Sequence, residues 1–70
     1  MSTIAHEIMN TAADSIDADA LAQAAGASLD QDWAHEATLY QFDDGSVLTI
    51  SGPFQQAYSS AEKAREALEA

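Results

Sequence analysis

The chain has 70 residues, twelve Asp plus Glu against two Lys plus Arg, and a formal charge of −10. That length allows one small domain spanning 1–70 and rules out a multidomain enzyme; no cysteine is present, which excludes a disulfide framework or a thiolate zinc site. Sixteen of the apolar residues are alanine, so the larger ones suffice for a single thin core of modest stability. The charge also repels nucleic-acid phosphates and anionic lipid, so neither direct nucleic-acid binding nor membrane association is expected. No apolar run of spanning length occurs, and Met1-Ser2-Thr3-Ile4 lacks the features of a signal peptide.

Residues 1–25 read as helical, with Ala dominant and no Gly or Pro. Ile4, Ile8, Met9 and Ala12 form an apolar stripe of near-helical period. The pattern breaks at Asp14-Ser15, where Ser15 is positioned to cap a second segment with Asp17 and Asp19 in its first turn. Gly26 then stands where a helix-ending residue belongs. One bent helix and two short ones fit this segment equally.

Residues 28–35 read as a polar connector carrying the single tryptophan, Trp33. The period becomes two from Glu36, giving a three-stranded antiparallel meander over 36–58. Thr38, Tyr40 and Phe42 take one face and Leu39 and Gln41 the other. Asp43-Asp44-Gly45-Ser46 between alternating runs predicts a hairpin, with Val47-Leu48-Thr49-Ile50-Ser51 returning. Gly52-Pro53 makes the next turn and Phe54–Tyr58 the third strand. Tyr40, Phe42, Phe54 and Tyr58 are assigned to the core. A short C-terminal helix over 60–70 opens with a Ser59/Glu62 capping box. The predicted class is α+β: an N-terminal helix or helix pair, a three-stranded antiparallel sheet and a short C-terminal helix.

Catalytic and metal signatures fail on spacing, so no enzymatic activity, cofactor or metal is expected. His6 and His35 each precede a glutamate, but neither pair completes His-Glu-x-x-His. Asp17/Asp19 and Asp30/Asp32 begin like calcium loops, yet the Gly and Glu required further on are missing. Asp14-Ser15-Ile16 is similar to the attachment site of acyl carrier proteins, but those are all-helical and here a hairpin follows.

The acidic distribution is the informative feature. Glu62, Glu66 and Glu69 fall within about 60° of one another around the last helix, while Ala57, Ala61, Ala64 and Leu68 face away. Asp43-Asp44 at the hairpin tip and Asp30-Asp32 beside Trp33 add further clusters. Two readings fit such a field: salt adaptation, or a surface that imitates a phosphate backbone and occupies a basic DNA-binding site. Duplex DNA carries one charge per roughly 1.7 Å of axis, so a domain about 25 Å across needs about 12–15 carboxylates to match it.

Asp30-Gln31-Asp32-Trp33, Tyr40-Gln41-Phe42-Asp43-Asp44-Gly45-Ser46-Val47-Leu48 and Ser51-Gly52 resemble the small acidic DNA-mimic anti-CRISPR proteins of phage, inhibitors of the type I-F surveillance complex. The likeness spans roughly residues 30 to 58. Where that family has a longer acidic helical tail, this chain offers only Glu62, Glu66 and Glu69. The resemblance implies a stoichiometric inhibitor in the cytoplasm of the infected bacterial host. It would bind the basic PAM- and duplex-gripping surface of a type I Cascade complex, on its large subunit, and exclude target DNA. Type I-F, I-C and other type I complexes stay open as targets.

The expected contacts are Asp30, Asp32, Glu36, Asp43, Asp44, Glu62, Glu66 and Glu69. Trp33 reads either as a cover over the sheet or as an interface anchor. Two other functions compete: an acidic adaptor or antitoxin-like module on a basic host protein, and a salt-adapted domain. On this reading the exposed hairpin tip tolerates reversal of Asp43 and Asp44 with little effect on folding.

Overall fold

A computed structural model describes residues 3–34, 36–52 and 54–69. Thr3 starts the first helix, α1 (Ile4–Thr11), its hydroxyl accepting from the His6 N–H at 3.1 Å. The chain turns extended at Ala12, which separates α1 from α2 (Ser15–Ala24), so the N-terminal segment is two helices. The cap of α2 is Asp14 rather than Ser15. Its carboxylate accepts from the Asp17 N–H at 2.8 Å, and the Asp17 carboxylate accepts in return from the Ala13 N–H at 3.0 Å. Both carboxylates lie at the positive end of the helix dipole, where the first-turn N–H groups need acceptors.

Gly26 ends α2 as its position predicts. It takes φ +78°, its N–H reaches the Gln23 carbonyl, and the Ala27 N–H reaches the Ala22 carbonyl. Those two bonds are a Schellman closure, which the left-handed conformation of a glycine allows without a Cβ clash.

Among the described residues the sheet has four strands, not three: β1 (Ser28–Asp32), β2 (Ala37–Gln41), β3 (Val47–Ser51) and β4 (Phe54–Tyr58), in the order β1-β2-β3-β4 with every neighbour antiparallel. β1 occupies the stretch expected to be a connector. It is an edge strand with four of its five residues exposed, so no buried alternation marks it in the sequence; pairing to all five residues of β2 holds it. The β2–β3 turn closes with the Gly45 N–H on the Phe42 carbonyl and Gly45 at φ +86°. Asp43 and Asp44 are therefore the central turn residues, and Gly45 supplies the left-handed step after them. Gly52, at φ +59°, begins the turn into β4; Pro53 lies outside the described residues.

Helices cover both faces of this sheet. On one face α1 and α2 bury Ala5, Ile8, Ala18 and Ala22 against Tyr40, Phe42, Leu48 and Ala57. On the other, α3 (Ala61–Glu69) brings Ala64, Ala61 and Leu68 onto Ala37, Leu39, Val47 and Tyr58. The alanine-rich helix faces let short helices approach closely, and the larger side chains of β2 and β3 fill the space. Ala57 belongs to β4 and the opposite face, not to the apolar side of α3.

One assignment to the core changes, that of Phe54, and two further large apolar side chains are exposed as well. Ile16 is 79% exposed on α2, Leu29 60% exposed on β1, and Phe54 76% exposed at the start of β4. Tyr40 and Phe42 are buried, as assigned, and Tyr58 is only half-buried. At α3 the cap is Ser60, one residue later than the Ser59/Glu62 box: its hydroxyl accepts from the Lys63 N–H at 3.3 Å and its carbonyl from the Ala64 N–H at 3.1 Å.

Candidate functional site: an acidic face

Every one of the twelve acidic side chains is exposed or half-buried; Asp19 and Asp32 are the two half-buried ones. The eight expected contacts divide into three groups in space. β4 ends at Tyr58 opposite Val47, beside the hairpin tip, so α3 starts at that end of the sheet. Running back over the sheet, it displays Glu62, Glu66 and Glu69 to solvent while Ala64 is buried beneath. This is the stripe the heptad-like spacing predicts.

The second group lies around the β1 edge. In the register Asp30↔Leu39 and Asp32↔Ala37, both aspartates share the α3 side of the sheet with Leu39 and Ala37. Asp30, Asp32, Trp33 and Glu69 line one cleft of about 200 Å³, with Arg65 at its rim 3.7 Å from the Asp30 carboxylate. That ion pair is well exposed on both sides, so its net worth is small. Glu36 joins Trp33, Gln31 and Asp32 around an adjoining hollow of about 330 Å³. The Glu36 backbone sits at φ +53°, a left-handed conformation that costs a non-glycine residue about 1 kcal/mol. Trp33 is 82% exposed, which removes the reading of it as a cover over the sheet.

The third group, Asp43 and Asp44, stands at the other end of β2. Asp44 is exposed, but its carboxylate is engaged in the fold. One oxygen accepts from the Ile4 N–H at 2.9 Å; the other accepts from the Ser46 N–H at 2.9 Å and the Ser46 hydroxyl at 2.5 Å. The Ser46 hydroxyl in turn accepts from the Ala5 N–H at 3.2 Å. The hairpin tip thus supplies acceptors to the first turn of α1, 40 residues away in sequence. These bonds, the Ser46 hydroxyl first, the Ile4 amide next and then the Ser46 amide, hold the Asp44 carboxyl below its ordinary 3.8. The expectation that Asp44 can be reversed at little structural cost is therefore corrected: its charge caps α1. Among the described residues no such bond ties Asp43, an exposed residue of the tip.

His6 bonds Thr3 within the first turn of α1, and His35 lies outside the described residues. Among the described residues, no three His, Asp or Glu side chains are grouped to hold a metal ion, and no helix is long and apolar enough to cross a membrane. Sequence reasoning missed one part of the site, the strand character of residues 28–32, which carry a single large apolar residue, Leu29, and no apolar alternation. Protein-family models, curated proteins and solved structures give no match to this chain.

Proposed function

We propose that this protein is an anti-CRISPR inhibitor of a type I Cascade complex. It acts as an acidic DNA mimic that occupies the basic PAM- and duplex-binding surface, on the large subunit, and blocks target DNA. The observation that carries the reading is the face shared by α3 and β1. Glu62, Glu66, Glu69, Asp30 and Asp32 lie there together, with Glu36 at its end.

The spacing is of the right order for a phosphate track. Glu62 to Glu69 covers about 10 Å of helix axis, so three carboxylates fall about 5 Å apart, against 3.4 Å between phosphates of one strand. Over the longest dimension of 26 Å a duplex carries about 15 charges; this chain carries twelve acidic ones. A surface built of lysines to grip DNA finds complementary charge on such a face. R-loop formation is nearly balanced and is nucleated by PAM capture, so covering those few basic contacts is enough to stop it. The inhibitor works by occupancy in the cytoplasm of the infected host and needs no catalytic step.

The test is a mobility-shift competition. Purified type I-F and type I-C Cascade are preincubated with the protein, then offered PAM-containing duplex at two salt concentrations. Loss of the DNA shift, weaker at the higher salt, is the expected result. An undiminished shift with both complexes refutes the proposal and favours an adaptor or salt-adaptation role.

A further inference from the structure

Among the described residues, no strand lies against the outer edge of β1. β1 pairs only with β2, so every second residue along Ser28–Asp32 directs its backbone N–H and C=O away from the sheet. The helices leave this end of the sheet bare as well: Leu29, on the α1/α2 side opposite Tyr40, is 60% exposed. Asp30 and Asp32 occupy the other side, and Trp33 projects from the end of the strand.

We propose that β1 is a docking edge for an extended basic segment of a partner protein, which adds to the sheet as a fifth strand. Its side chains alternate: Lys or Arg toward Asp30 and Asp32, an apolar residue toward Leu29. Backbone bonding to the open edge supplies affinity and the alternation supplies selectivity. An arginine beyond the end of the segment enters the hollow lined by Trp33, Asp32 and Glu36, where the indole face and the carboxylates both attract a guanidinium.

Charge decides between occupants. A second copy pairing antiparallel along the full length of β1 places Asp30 opposite Asp30, on the same face and about 5 Å apart, and like charges so placed repel. With −10 on each copy the repulsion extends well beyond that pair. A basic strand turns the same geometry into attraction. The inference takes from the proposed function only the basic character of the partner.

The test uses the intact protein and two capped nine-residue peptides of equal composition, one alternating Lys and Val, the other with the lysines in a block. Amide exchange and amide chemical shifts of residues 28–32 and the fluorescence of Trp33 are followed during titration. The alternating peptide is expected to slow exchange of the outward β1 amides about tenfold at saturation and to shift the Trp33 emission, while the blocked peptide does neither. Asp30→Asn, at an exposed position, should weaken the alternating peptide severalfold without altering the fold. Equal effects of the two peptides, or shifts confined to Glu62 and Glu66 with unprotected β1 amides, overturn the inference; so does β1 protection that appears without peptide as protein concentration rises. Cascade losing its DNA while β1 stays unprotected removes this inference alone. Protected β1 amides beside an undiminished DNA shift remove the proposed function alone.

Discussion

Replacing Ser46 by Ala tests the joint between the hairpin tip and α1 without changing any charge. Ser46 and Ala5 are both fully buried, and the Ser46 hydroxyl is the acceptor given to the Ala5 N–H, at 3.2 Å. Alanine removes that oxygen and leaves a buried donor unmatched, which costs about 1–3 kcal/mol. Loss of the hydroxyl donated to Asp44 adds to this, although the carboxylate keeps its bonds to the Ile4 and Ser46 amides. A chain of 70 residues has roughly 3.5–10 kcal/mol of stability in all, so a loss near 2 kcal/mol is a large share of it. At about 4–8 °C per kcal/mol for a domain this small, the midpoint should fall by about 8–16 °C. Thermal melts followed by circular dichroism, with urea unfolding to check that m is unchanged, measure it directly. Ser51→Ala is the control. Its hydroxyl donates to the Glu36 carbonyl at 3.4 Å in an exposed setting, and its removal should move the midpoint by less than about 3 °C. If Ser46→Ala melts within about 2 °C of the parent, the Ser46–Ala5 bond is not what fastens α1 to the sheet.

Asp43→Lys should leave the midpoint within about 3 °C of the parent while weakening competition with DNA; Asp44→Lys should lower both, and equal thermal losses for the two would refute the division of the tip. Because the folded state holds the Asp44 carboxyl below 3.8, its contribution is complete above that pH and is lost as pH falls through the lowered value. The stability gap between the parent and Asp44→Asn, measured by urea unfolding, should therefore be full at about pH 6 and close below about pH 3.8; a gap that stays constant down to pH 2 contradicts the assignment. Glu36→Gly should stabilise the fold by about 1 kcal/mol, by releasing the left-handed strain, while weakening Cascade binding through the lost charge. A loss of stability on that change would show that the Glu36 side chain supports the turn.

Leu48→Ala, at a fully buried position between β2 and β4, should cost about 2–5 kcal/mol and leave the fold marginal. A melt unchanged from the parent would contradict the central place given to β3.

What the sequence alone determined follows from local physics. Gly26 and Gly45 fall where the chain must turn left-handed, and the alternation from Thr38 to Ile50 sorts Tyr40 and Leu48 from Leu39 and Val47 onto two faces. The 3.6-residue period likewise places Glu62, Glu66 and Glu69 away from the buried Ala64. These features depend on neighbours within one turn or one strand pair, and such neighbours can be read along the chain. The tertiary structure decided the rest. β1 is a strand only because β2 offers its edge, and a solvated edge strand needs no apolar pattern of its own. Trp33 and Phe54 stand exposed because the helices cover other parts of the sheet, and aromatic character by itself does not choose a side. Asp44 caps a helix 40 residues earlier in the chain. A long-range hydrogen bond to an exposed carboxylate leaves no periodicity in the sequence, since it arises only where folding brings the hairpin tip against the first turn of α1.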